Sequence, residues 1–160
     1  MMGVGKTTLG KIVAKKQNLR FFDSDLCIEE KLSMKISKIF EHKGEAFFRS
    51  EEEKQVLKIL KNTNSVIALG GGAFINNKIR SEILKNAISI WLDDSLENIS
   101  KKTKWKKNRP LLNKENNREI IKKLYAERKD IYKLANYKIN CNNLNKEDLV
   151  KKIIDFYEKY

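Results

Sequence analysis

Apolar residues recur along this chain in two rhythms, one helical and one of short unbroken runs, and their alternation predicts its elements. Leu9, Ile12 and Val13 fall at helical spacing, which predicts a helix from Thr7 to about Lys16. Phe21-Phe22 reads as a short buried strand delivering Asp23-Ser24-Asp25 at its C-terminal end, and a helical stretch from Leu26 to Leu32 follows. Ser37 to Phe40 predicts a short helix ending near Gly44, and Glu45 to Leu60 a longer one without a breaker. Ser65-Val66-Ile67-Ala68-Leu69 is too short for a helix and is stopped by Gly70-Gly71-Gly72, so it predicts a buried strand. A helix around Lys78 to Lys85, a strand over Ala87 to Leu92 and a helix from Leu96 to Lys102 come next. Ile120, Ile121, Leu124, Tyr125, Ile131, Tyr132 and Ala135 mark a long amphipathic helix from about Asn117. Tyr137 to Asn140 is the last short strand, and Val150, Ile153, Ile154 and Tyr157 give a closing helix its apolar face. Strands alternating with helices predict an α/β fold, a parallel sheet covered on both sides.

Composition changes the picture only a little. At 160 residues and 41% hydrophobic the chain suits one domain, 1–160, with a real core, and a single proline argues against long extended linkers. No apolar run reaches the length of a membrane-spanning helix, so no membrane partner is expected. Cys27 and Cys141 are isolated, and His42 is the one imidazole. That usage argues against zinc or a disulfide framework and leads to an expected cytoplasmic location. The balance of 34 Lys+Arg against 21 Asp+Glu gives +13, which suits anionic ligands such as nucleotides and carboxylates and would equally suit nucleic acid.

The candidate chemistry gathers where strands end. Gly3-Val4-Gly5-Lys6-Thr7-Thr8 opens the first helix as the second half of a phosphate-binding loop, G-x-x-x-x-G-K-[ST]. In such a loop backbone amides curl round the phosphates, Lys6 reaches their β and γ oxygens, and Thr7 offers a hydroxyl to Mg²⁺. Gly3 and Gly5 keep side chains out of the way and allow positive φ where the loop turns. The pattern's first glycine falls one place ahead of Met1. Asp23 and Asp25 stand after an apolar strand beside this loop, although an exposed turn with an N-cap would show the same residues. Lys101 to Arg109 carries six cations in nine residues. Its bland interpretation is a basic loop able to bind RNA, with Trp105 stacking on a base.

Taken in order, these motifs resemble the shikimate kinase family: G-x-G-K-T-T at Met2 to Thr8, F-x-D-S-D at Phe21 to Asp25, and G-E-x-x-F-R-x-x-E at Gly44 to Glu52. L-G-G-G-A at Leu69 to Ala73, N-R-P-L-L at Asn108 to Leu112 and R-x-x-x-Y at Arg128 to Tyr132 complete the set. The resemblance implies a P-loop kinase three-layer sandwich, with a parallel sheet of order 2-3-1-4-5 between helices on both faces. It implies ATP-dependent phosphorylation of the shikimate 3-hydroxyl, with Mg²⁺, by a monomer on the route to chorismate and the aromatic amino acids. It places ATP on Gly3, Val4, Gly5, Lys6, Thr7 and Thr8, the metal on Thr7 and Asp23, and the acceptor hydroxyls on Asp25, which orients or deprotonates the attacking oxygen. Arg49 and Arg128 match the arginines that grip the substrate carboxylate, and Gly71 and Gly72 match its backbone contacts. The segment of about 101–113 matches a lid whose Arg109 swings onto the transferring phosphoryl group. Lys102 stands near the adenine where the family often has an arginine, so flat stacking on the base is lost.

Two other readings stay open on the residues. A P-loop kinase of another hydroxylated acceptor, gluconate or a nucleoside monophosphate, would keep the loop and change the pocket. A basic RNA-binding module would rest on the +13 charge and leave Asp23, Asp25 and the glycine triplet unexplained. The resemblance also carries an expectation about the sheet. Its central strand 1 would precede Met1, so a chain lacking it is expected to be N-terminally truncated or begun late, with a slot where that strand should lie.

Overall fold

The computed structural model describes residues 1–103 and 117–160. Along them run helices α1 (Lys6–Lys16), α2 (Ser24–Leu32), α3 (Ile36–Leu60), α4 (Asn77–Asn86), α5 (Leu96–Thr103), α6 (Asn117–Tyr132) and α7 (Lys146–Tyr157). Between them lie strands β1 (Arg20–Asp23), β2 (Ser65–Ala68), β3 (Ile90–Asp93) and β4 (Tyr137–Asn140). All pairing is parallel, as expected of strands joined by helical crossovers. β1 pairs with β2, setting Asp23 opposite Ala68, and β3 pairs with β4, setting Asp93 opposite Asn140.

Among the described residues these pairs form two separate two-stranded sheets. A groove of about 490 Å³ runs between them, lined by β2 on one side and Ala87 to Leu92 on the other. Leu9 and Val13 of α1, Ile83 of α4 and Tyr132 of α6 also face it. Trp91 lines the groove as well, and its Nε1 is the one buried side-chain polar atom without a partner among the described residues.

The larger core joins Val4, Leu9, Val13, Val56, Ile79, Trp91, Ile99, Ile121 and Ile139, drawing on every layer around the two sheets. A smaller one gathers Ile28, Ile39 and Phe48 where α2 meets α3, with Phe40 tilted against Phe48 at 4.9 Å. Both rings therefore serve packing.

The helices predicted on either side of Gly44 are both present: within α3 they meet at a kink where Gly44 leaves helical backbone (φ 78, ψ 169). Other boundaries differ from the sequence pattern. Helix α2 begins at Ser24, not Leu26, because Asp23 caps it: Oδ1 accepts from the amides of Asp25 at 3.0 Å and Leu26 at 3.3 Å. β3 starts at Ile90 and runs to Asp93, with Ile90 opposite Tyr137 as its first pair, although the Ser89 carbonyl just before it already accepts from the Tyr137 amide at 3.1 Å.

Candidate active site

The phosphate loop is built from backbone. Gly3 (φ 76) and Gly5 (φ 90) take the left-handed conformation that the turn requires. Gly5 is the N-cap of α1 and has no side chain to cap it, the kind of helix start that suits an anion. Val4 turns its side chain into the core at 3% exposure, which leaves only its backbone for a ligand. Lys6 Nζ donates to the Met1 carbonyl at 2.5 Å, folding the lysine back over the loop.

Strand β1 delivers the acids. Thr7 Oγ1 donates to Asp23 Oδ2 at 2.6 Å, so a hydroxyl and a carboxylate meet at the start of α1 and the end of β1. Gly3, Gly5, Lys6, Thr7 and Thr8 share a cavity of about 90 Å³ with Asp23, Asp25, Leu69 and Gly71. Thr7, Asp23 and Asp25 offer oxygen ligands there, and among the described residues no cluster of three His, Cys, Asp or Glu could hold a metal unaided. That set fits Mg²⁺, which takes one or two protein oxygens and completes its shell with phosphates and water.

The glycine triplet after β2 is where the remaining groups converge. A methyl placed on Gly70 would lie 2.5 Å from Asp25 Oδ1 and 3.0 Å from Glu52 Oε1, and one on Gly72 would overlap the Arg49 guanidinium. Arg49 Nη1 donates to Glu52 Oε2 at 2.7 Å, and its Nε and Nη2 reach Glu45 at 3.1 and 2.9 Å. Burial pushes the Glu52 carboxyl up, and the charge of Arg49 only partly offsets it. Burial acts to lower the Arg49 pKa, but Glu52 and Glu45 outweigh it and raise the value, so Arg49 stays charged. Arg128, 9% exposed, donates from Nη1 to the Gly71 carbonyl at 3.4 Å.

Sequence reasoning gave three further residues no role. Ser24 is fully buried, and its Oγ accepts from the Gly70 amide at 2.8 Å, tying the acidic motif to the triplet. The Tyr132 phenol donates to the Gly71 carbonyl that Arg128 also touches. Asp94 binds Lys102 at 2.7 Å, which places the Lys102 ammonium at the end of β3. Motif spacing already enclosed Ser24 and Tyr132, the central letter of D-S-D and the last of R-x-x-x-Y; nothing local marked Asp94. The structure thus brings together Gly3, Gly5, Lys6, Thr7, Thr8, Asp23, Asp25 and Gly71, with Arg49, Gly72 and Arg128 at the triplet. Lys102 stands apart from that cavity, and Arg109 with most of the 101–113 segment lies outside the described residues.

A glycine phosphate loop opening a helix beside the C-terminal ends of parallel strands, with acids at one of those ends, defines a P-loop kinase. The comparisons narrow this. The shikimate kinase family profile matches residues 2–158. The shikimate kinase of Sulfurihydrogenibium sp. is 42% identical over 153 residues, covering 96% of this chain and 91% of that one. That of Bartonella henselae is 39% identical over 160 residues, 100% of this chain and 76% of its own. A shikimate kinase structure from Acinetobacter baumannii, in complex with shikimate, superposes with a TM-score of 0.95 at 34% identity, over 99% of this chain and 89% of that one. The chain belongs to the shikimate kinase family. It is a phosphotransferase with ATP as co-substrate, and these likenesses do not favour another acceptor or an RNA-binding role.

Proposed function

We propose that this site transfers the γ-phosphoryl group of ATP to the 3-hydroxyl of shikimate, giving shikimate 3-phosphate and ADP. The observation that carries it is the shared cavity of the phosphate loop, Asp23, Asp25 and Gly71, with two arginines converging on the same triplet. Phosphoryl transfer needs positioning and charge neutralisation more than covalent chemistry. The amides of Gly3 to Thr8 cradle the phosphates, and Lys6 exchanges the Met1 carbonyl for a phosphate oxygen. Thr7 and Asp23 hold Mg²⁺, which when bound neutralises charge on the β and γ oxygens. Asp25 accepts the proton of the attacking hydroxyl. Arg49 and Arg128 take the substrate carboxylate, whose planar geometry matches the guanidinium fork, against the backbone of Gly71 and Gly72. Lys102 lies toward the adenine side. The chain works as a single-domain monomer in the cytoplasm, with no nucleic-acid or membrane partner.

Asp25→Asn tests the assignment. It should depress kcat strongly with ATP binding kept, because an amide cannot take the proton. Asp23→Asn should instead raise the Mg²⁺ concentration needed for turnover. Equal loss of ATP affinity in both, with shikimate kinetics untouched, would overturn this division.

The same reading extends to the sheet. β1 and β2 correspond to strands 2 and 3, and β3 and β4 to strands 4 and 5, of a 2-3-1-4-5 sheet, with the groove as the place of strand 1. Two features support it: among the described residues β2 and β3 each have a partner on one edge only, and both line the groove.

A further inference from the structure

Asp94 is a buried carboxylate that the transfer chemistry above does not use. Its side chain has no solvent exposure. Burial works against its charge, but Lys102, Asn98 and the Ser95 amide outweigh that and hold its carboxyl below the usual range. Lys102 Nζ donates to Oδ2 at 2.7 Å, and Asn98 Nδ2 and the Ser95 amide donate to Oδ1 at 2.8 and 2.9 Å. Ser95 and Asn98 stand at the start of α5 and Lys102 at its end. One carboxylate, set directly after β3, therefore fastens both ends of α5 to the sheet.

The last turn of α5 is also what touches the phosphate loop. A methyl on Gly3 would lie 2.8 Å from Thr103 Cγ2 and 3.5 Å from the Ile99 carbonyl. Thr103 and Ile99 are buried, and the Thr103 hydroxyl turns back to the Ile99 carbonyl at 2.7 Å, which leaves its methyl toward the loop. The neighbouring acid, Asp93, makes none of these links: it pairs with Lys138 at 2.8 Å and accepts from the Tyr125 phenol at 3.1 Å.

Resting on the kinase reading above, we propose that Asp94 is a positioning residue for the nucleotide, acting through Lys102 and the last turn of α5 to hold Gly3 and the phosphate loop in the geometry that receives ATP. Lys102 then serves first as the carboxylate's counterion, and the loop is braced from α5 as well as from α1. Shikimate, bound at the glycine triplet, does not depend on this brace.

The test compares Asp94→Asn with Asp93→Asn in the full chain. Initial rates are measured against ATP and shikimate separately, Mg·ADP binding by equilibrium dialysis, and Tm as a control for general damage. Asp94→Asn should raise both the KM for ATP and the Kd for Mg·ADP about tenfold, with the KM for shikimate unchanged. Asp93→Asn should lower Tm without moving nucleotide affinity, and Asp94→Glu should restore part of the loss. Thr103→Ser, which removes only the methyl against Gly3, should give a smaller effect of the same selectivity and serves if Asp94→Asn does not fold. An unchanged ATP KM, an equal rise for both substrates, or the same rise in Asp93→Asn would overturn the proposal. A wild-type chain that binds Mg·ADP but releases none with shikimate would strike the kinase reading instead, because the binding arm reads the brace by itself.

Discussion

Arg49 is held on three sides before any substrate arrives: Glu45 and Glu52 take its donors, the Phe48 ring lies 5.2 Å beneath it, and Gly72 leaves room above. Such a guanidinium is oriented at little further entropic cost. Arg49→Lys should raise the KM for shikimate and leave that for ATP unchanged, an effect of about 1.5–3 kcal/mol for a lost charge-assisted contact. A shikimate analogue without the carboxylate should bind wild type and variant alike. Glu52 sets a pH dependence. Its carboxyl titrates above the usual 4.5, so the stability it contributes is fully present below that value and is lost as pH rises through the raised one. Glu52→Gln lacks this loss. Urea melts at successive pH values should therefore show the variant gaining on wild type across that window, and a constant difference would contradict the shift. Ser24→Ala should cost about 1–3 kcal/mol, since it leaves the buried Gly70 amide without its acceptor.

Helix α3 shows how an element delivers a site. Gly44 interrupts it with φ 78 and ψ 169, a combination open essentially to glycine, and Arg49 and Glu52 stand on the stretch that follows. Gly44→Ala should cost about 1–3 kcal/mol although the new methyl would meet open space beyond its own stretch of backbone, because the strain is in the backbone. The two halves of α3 were legible in the sequence, with Gly44 marking the break; the angle at which they meet was not, since a glycine break looks the same whether the chain turns or only kinks. Site groups carried by local spacing could be read directly: Gly3, Gly5, Lys6 and Thr7 from the loop, Asp23 and Asp25 from the strand end. Ser24 and Tyr132 could not be given partners, because those partners lie 46 and 61 positions away. Asp94 was invisible for another reason: an acid just before a helix is an ordinary N-terminal signal, and only its burial against Lys102 sets it apart.

At the scale of the molecule, the catalytic cavity and the groove between the sheets sit end to end, with Lys6 and Gly71 lining both. The strands were legible as short apolar runs, but which edges would pair was not, because parallel neighbours here are separated by whole crossover helices. An apolar groove of about 490 Å³ between two strand edges forgoes packing and hydrogen bonds that a continuous sheet would make. An extended apolar segment fused ahead of Met1 should raise Tm, and an unchanged Tm would argue that the groove admits no strand. The central claim is that this site phosphorylates shikimate. Its most direct measurement is ADP release by the purified chain with Mg·ATP, with shikimate present or withheld and with Lys6→Ala as the control. ADP release should require shikimate, yield shikimate 3-phosphate in equal amount and disappear in Lys6→Ala. Release that ignores shikimate, or that survives the loss of Lys6, would contradict it.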